Sequence, residues 1–440
     1  MSFAGPFDAP SWPEQLPPRY WLANARVTPS AVEGRHAGLI SVLIADGAID
    51  AIEANPQGND APVFDLRGAM VFPAFVDPHT HLDKGDLLAV GVAPERNLVD
   101  AIDAVRSDYA NWSRHELEAR TGFGLRTAFA HGTRALNTYC DWSGPEGPLA
   151  WTVLREQRAR WHGRIELRLT ALAHIDLLAD ARQAEALGRC MADDRGVLGF
   201  YVPPGSPVAA LLPRAFDLAA RFDLDLDFHI DEHLAPRTTH LRAAADLARE
   251  RGWGRRTVMG HGCVLSVLPA ADCDAALDAL AASGAGLVAL PYTNLHLQDS
   301  SQREPLRTPR LRGIAPVHEA RARGVPVAFG SDNHRDGFFP GGDLDPLQTL
   351  ALAAVAVQLD DAAMVWSHSI GRSAAQVIGL ANDAVLRPGA SADLVLHPGR
   401  NSAEVLSRAA TGRQVLRAGQ RLTAAQARLP DPRELDGLRA

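Results

Sequence analysis

Residues 68–84 read GAMVFPAFVDPHTHLDK, an apolar run that ends abruptly in two histidines, an aspartate and a lysine. The run has the length and the aromatic and β-branched content of a buried strand. Alternate residues on an extended backbone point the same way, so His79 and His81 present two imidazoles on one side. Such a pair binds a metal ion when further ligands join it, and is an ordinary pair of loop histidines when none does. The rest of the chain decides between these readings.

Seven more short apolar runs follow: TRALNTYC (133–140), IELRLTALA (165–173), VLGFYVPP (197–204), LDLDFHI (224–230), RTVMGHG (256–262), GLVALPYTN (286–294) and VPVAFGSD (325–332). Each precedes a stretch able to form a helix, such as PVAALLPRAFDLAARF (207–222) or ADCDAALDALAASG (271–284). Eight alternating units predict an α/β fold, a (β/α)8 TIM barrel, whose functional residues sit at the carboxyl ends of its strands. The segments YWLANARV, LISVLIADGAIDAIEA and APVFDLRGAMVF before the barrel read as antiparallel strands, as do AVLRPGASADLVLH and GRQVLRAGQRLTA after it. The two chain ends are therefore expected to build one small β-sandwich domain, 1–70 plus 376–440, beside a barrel of 71–375.

The strand ends carry the chemistry. The fifth run closes with His229 and, three residues on, Glu232; the eighth closes with Asp332 followed by Asn333. His79, His81, His229 and Asp332 on one face form a plausible mononuclear metal site. His261, between two glycines at the end of the sixth run, suits a hydrogen-bond donor better than a fifth ligand. His233, His240 and His334 lie in nearby loops and read as supporting or solvent-facing residues.

Composition removes other classes. The 440 residues are 46% hydrophobic and 22% charged, ordinary for a globular chain, and the net charge of -8 gives no general attraction to nucleic acid. The arginines between Arg303 and Arg323 read as a solvated loop or subunit contact. The longest apolar run, Leu350 to Leu359, is too short to span a bilayer. The first residues lack a basic region followed by an apolar one, so the protein is expected to be cytoplasmic and to have neither membrane nor nucleic-acid partners. Four cysteines without CxxC spacing predict neither disulfides nor a cysteine-only zinc site. Lys84 is the one lysine among 44 basic residues.

The ordered set HTHLD, HIDE, GHG, TNLHLQ (293–298), RGI (312–314), SDN, FPG (339–341) and GASADLV (389–395) resembles the amidohydrolase superfamily, specifically its cytosine deaminase-like branch. The string HTHLDK is also similar to that of the N-isopropylammelide amidohydrolases. The resemblance implies one divalent metal ion, Zn2+ or Fe2+ with Mn2+ also admissible, held by His79, His81, His229 and Asp332. It implies Glu232 as the proton-shuttling carboxylate, His261 as the group beside the reacting oxygen, and Asp332 as acceptor of the proton from the attacking water. The activity implied is hydrolytic removal of ammonia or an amine from a small nitrogen heterocycle, such as an oxo-pyrimidine, pterin or s-triazine. Ring opening of a cyclic amide or lactam is the alternative. A homo-oligomer is also implied.

Two positions depart from the cytosine deaminase pattern. His174 stands where a glutamine would meet the pyrimidine edge, and Asn333 stands where a second aspartate would follow Asp332, so a ring other than cytosine is expected. Binuclear amidohydrolases carry a bridging lysine at the end of the third or fourth strand, and no lysine stands at either place here, so the resemblance implies one metal ion and not two. Lys84 is expected either to meet an anionic ring oxygen or to form an ion pair with Asp83 or Asp86.

Overall fold

The computed structural model describes residues 12–34, 38–54, 61–236, 239–300, 307–381 and 384–439, so Arg303 lies outside the described residues. Sixteen strands are present among them. The chain opens with β1 (Arg19–Ala25), β2 (Ile40–Ala45), β3 (Ala48–Glu53), β4 (Val63–Asp65) and β5 (Met70–Pro73). The barrel strands are β6 (Phe75–Thr80), β7 (Thr133–Trp142), β8 (Glu166–His174), β9 (Val197–Val202), β10 (Leu226–Ile230), β11 (Thr257–His261), β12 (Gly286–Ala289) and β13 (Val327–Phe329). The chain closes with β14 (Leu394–His397), β15 (Gln414–Arg417) and β16 (Gln420–Arg421).

Strands β6 to β13 form one parallel sheet in sequence order, with helices between them: the (β/α)8 barrel predicted from the sequence. Its ends are brought together by a parallel bridge between Thr80 and Asp332, with the Asp332 amide donating to the His79 carbonyl at 2.8 Å. The seam that closes the barrel is thus made of metal-ligand candidates and their neighbours. The intervening helices present apolar stripes to the sheet; in Val208–Phe222 the buried residues Leu211, Leu212, Ala215, Phe216, Leu218 and Ala219 recur at helical spacing.

The two chain ends supply two four-stranded sheets, β3-β2-β1-β4 and β16-β15-β14-β5. Tyr20, Leu22, Val42 and Phe64 from the first share an apolar cluster with Val71, Leu394, Leu396 and Leu416 from the second. One difference from the sequence reading concerns GAMVFPAFVDP, which is two strands: β5 pairs antiparallel with β14, and β6 begins the barrel beyond Ala74. Pro73 has no amide hydrogen to continue a ladder, and the Ala74 amide turns aside to the Asp393 carbonyl at 2.9 Å. The stretch PYTN is likewise helical, the first turn of Pro291–Leu297, with proline at the first position where no amide donor is needed.

Candidate active site

The mouth of the barrel at the carboxyl ends of its strands opens into a cavity of 480 Å3 whose floor is built from His81, His229, His261 and Asp332. Small residues make room for this floor. A side chain at Gly330 would come within 2.8 Å of the His79 Cβ, and one at Gly260 within 3.3 Å of the ring. Tyr139 packs beneath the three imidazoles, with ring centroids 4.2 Å from His79, 5.2 Å from His81 and 4.5 Å from His229. Asp77 fastens the first strand to the last by accepting the Ser331 amide at 3.1 Å and the Ser331 hydroxyl.

Three turns aim the functional groups. His261, Asp332 and Asp231 all adopt left-handed backbone, with φ of 71°, 62° and 57°, a conformation that costs a non-glycine residue energy and that packing must hold. Asp231 reverses the chain so that Glu232 faces the cavity. The Asp231 carboxylate accepts the Thr239 hydroxyl at 2.8 Å and the amides of His240 at 2.8 Å and Leu241 at 3.0 Å, anchoring the start of the next helix.

The donor atoms fit a single metal ion. His81 Nε2 lies 3.4 Å from His229 Nε2 and 3.2 Å from Asp332 Oδ1, and His79 Nε2 lies 3.5 Å from that same oxygen. Four ligands placed tetrahedrally at about 2.1 Å from a Zn2+ ion have edges of about 3.4 Å. His79 Nε2 and both Asp332 carboxylate oxygens are buried without a hydrogen-bond partner among the described residues, a costly arrangement unless a cation completes it. Burial holds the pKa of all three histidines well below the usual value, which leaves their nitrogen lone pairs free to ligate.

Glu232 and His261 face this set. Burial, reinforced by the Asp332 charge, pushes the Glu232 carboxyl well above its ordinary range, which favours its protonated form. His261 Nδ1 lies 3.0 Å from the Asn294 amide nitrogen, which donates to it, and 3.4 Å from Glu232 Oε1. Burial lowers His261 to about 4, so the ring is neutral, and with Nδ1 accepting from Asn294 its hydrogen resides on Nε2.

Lys84 lies 2% exposed in the cavity wall. Its ammonium donates to Asp141 Oδ1 at 2.6 Å and sits 5.3 Å from the centre of the Phe338 ring. Only its amide meets Asp83, at 2.8 Å, and Asp86 pairs with Arg335 instead, so the ion pair expected with Asp83 or Asp86 is made with Asp141. The physical reason is reach: Asp141 extends from the neighbouring strand β7 into the cavity, whereas Asp86 turns toward Arg335. Burial opposes the Lys84 charge, but Asp141 and Asp83 outweigh it and keep the group charged.

His174 and Asn333 also line the cavity. His174 Nδ1 accepts the Asp176 amide at 3.2 Å, which leaves Nε2 for other partners, and the Asn333 amide donates to Asp336 at 2.7 Å. All nine residues singled out by the sequence therefore converge on one end of the barrel. Three groups escaped the sequence reading: Asp141, Tyr109, and the wall formed by Leu98, Ile102 and Arg106. Asp141 was within reach of the strand-end rule, one residue beyond TRALNTYC; the wall comes from the long β6–β7 connection and had no local signal.

An α/β barrel whose mouth gathers three imidazoles, an aspartate and a buried glutamate defines a metal-dependent hydrolase. Comparison with known proteins agrees. The Amidohydrolase family profile matches residues 95–423, and the chain belongs to that family. It is 36% identical over 426 residues to a pterin deaminase of Rhizobium rhizogenes, covering 95% of this chain and 96% of that one. It is 25% identical over 340 residues to an N-isopropylammelide isopropyl amidohydrolase of a Pseudomonas species, covering 75% and 80%. Among solved structures, 5-methylcytosine deaminase from Klebsiella pneumoniae with bound phosphonocytosine superposes with a TM-score of 0.79 at 24% identity, over 91% of this chain and 97% of that one.

Proposed function

We propose that this protein is a hydrolytic deaminase that releases ammonia or an amine from a small nitrogen heterocycle, with a 2-amino-4-oxo ring of the pterin type as the first candidate. The observation that carries the reading is the cluster of His79, His81, His229 and Asp332, in which His79 Nε2 and both Asp332 oxygens lack a hydrogen-bond partner among the described residues, beside Glu232, whose buried carboxyl is pushed toward its protonated form. The likeness to a pterin deaminase over nearly the whole chain supports the bicyclic ring, and a cavity of 480 Å3 lies within the range that encloses drug-sized ligands.

These four residues would hold one divalent ion, Zn2+ or Fe2+ by preference, which would supply a nucleophile at neutral pH by lowering the pKa of water. Glu232 donates its proton to the ring nitrogen beside the attacked carbon and, once ionised, takes up the remaining proton of the attacking water and passes it to the departing amine, while Asp332 accepts the water's first proton and returns it to Glu232. His261 Nε2–H donates to the oxygen on which charge develops, its orientation fixed by Asn294. Lys84, with one donor committed to Asp141, directs its others at a ring oxygen, while Asp141 remains able to accept from a ring N–H. His174 Nε2 and Asn333 border the remaining ring edge.

The same reading treats 1–70 plus 376–440 as one β domain and 71–375 as the barrel, in a homo-oligomeric cytoplasmic enzyme whose partners are small molecules. Purified protein with one equivalent of Zn2+ or Fe2+, offered pterin, 5-methylcytosine and N-isopropylammelide, tests it. Ammonia or amine release from one of these is expected; ring opening without amine release would favour lactam hydrolysis, and inertness toward all would count against both.

A further inference from the structure

Arg439 does not line the cavity, yet two chains of contacts run from it to the two flanks of Lys84. Its guanidinium makes four hydrogen bonds: to Asp108 Oδ1 at 2.6 Å and Oδ2 at 2.7 Å, and to Glu116 Oε2 at 2.7 Å and Oε1 at 2.8 Å. Asp108 ends the helix Leu98–Asp108 that forms the cavity wall, and it also accepts the Trp112 indole at 2.9 Å. The next residue, Tyr109, donates its hydroxyl to Asp141 Oδ2, and Asp141 Oδ1 takes the Lys84 ammonium.

The second chain starts at Glu116, fully buried, which accepts from Arg120 Nε at 3.0 Å. Arg120 Nη1 in turn donates to the carbonyls of Asp83 and Gly85, each at 2.8 Å, the residues on either side of Lys84. One arm thus holds the ammonium and the other the backbone beneath it. Bidentate, charge-assisted pairs are the strongest and most direction-specific of side-chain contacts, and this guanidinium makes one with Asp108 while bridging to both oxygens of Glu116.

We propose that Arg439 is a positioning residue for the substrate cavity: it locks the wall segment 98–112 against the barrel and thereby sets the place of Lys84 and Tyr109, without touching substrate. The chemistry at the metal ligands does not depend on it. Binding of the ring does. The kinetic part rests on the deaminase reading above; the part concerning the wall does not.

The test compares wild-type protein, Arg439→Gln and Arg439→Lys, each loaded with Zn2+, by peptide-resolved hydrogen exchange and by kinetics with pterin. For Arg439→Gln, amide exchange in 98–112 is expected to rise about tenfold while strands β10 to β13 keep wild-type rates. KM for pterin is expected to rise about tenfold with kcat within about twofold, and Arg439→Lys to recover part of both, since it keeps charge but not the fork. Wild-type exchange in 98–112 would overturn the proposal. So would a uniform rise in exchange with a lowered Tm and unchanged KM, which marks a merely structural contact. If wild-type protein does not turn over pterin, the deaminase reading loses its first candidate and the exchange comparison alone decides the role of Arg439.

Discussion

The floor and the wall of the cavity are built on different principles. The floor, His81, His229, His261 and Asp332 with His79 beneath them, hangs from the ends of hydrogen-bonded strands, with glycines at 260 and 330 leaving room for the His79 side chain. The wall, Leu98 to Tyr109, is an inserted helix held by side chains, through Tyr109 to Asp141 and Arg439 to Asp108. A rigid floor suits chemistry that one family applies to many rings, and a side-chain-tethered wall is the part that can change with the ring. Variants of the floor are therefore expected to act on kcat, and variants of the wall on KM.

The largest effect should come from the floor. Glu232→Gln keeps the size and place of the side chain but removes its proton chemistry, so kcat is expected to fall about 10²- to 10⁴-fold with metal content unchanged, as read by steady-state kinetics and elemental analysis. His229→Ala should lower metal content itself, and addition of Zn2+ should restore little activity.

Lys84 lies where floor and wall meet. Lys84→Met leaves Asp141 in the cavity wall without its cation and is expected to cost about 3 kcal/mol in urea unfolding, with loss of turnover. Lys84→Arg keeps the charge in a wider group, and it should lower turnover far more than stability; wild-type kinetics from it would deny Lys84 a part in binding. Tyr109→Phe removes one hydrogen bond to Asp141 and should raise KM up to about tenfold at nearly constant kcat. If it lowered kcat instead, the division between floor and wall would be wrong.

The smallest effect is expected at Asp231. Asp231→Ala removes the anchor of the helix Leu241–Glu250, for about 1 kcal/mol or slightly more, seen as a lower Tm. Because the same residue turns Glu232 into the cavity, a modest fall in kcat should accompany it.

The contrast also explains what the sequence made legible. The metal-ligand candidates could be read because a barrel puts its strand ends on one face, so HTH, HI and SD needed only to follow apolar runs to be brought together. The wall could not, because the place of Leu98–Asp108 is set by partners distant in sequence: apolar packing of Ala101 and Val105 against Leu297 and Phe338, and side-chain contacts of Tyr109 with Asp141, 32 residues away, and of Asp108 with Arg439, 331 residues away. Local pattern carries no information at such separations. GAMVFPAFVDP was read as one strand because its hydrophobicity is continuous, and only the competing ladders with β14 and β7 divide it near Pro73. The ion-pair partner of Lys84 had no local signal, because Asp141 lies 57 residues away on the adjacent strand while Asp83 and Asp86 stand beside Lys84 in sequence.

The most direct test of a floor that does chemistry on a heterocyclic amine is a paired measurement on wild-type and Glu232→Gln protein, each carrying one equivalent of Zn2+: ammonia released from pterin per unit time, beside metal bound per chain. One metal per chain in both, with ammonia from the wild type and almost none from Glu232→Gln, is the predicted result. Equal release from the two proteins, or activity that survives removal of the metal, would contradict it.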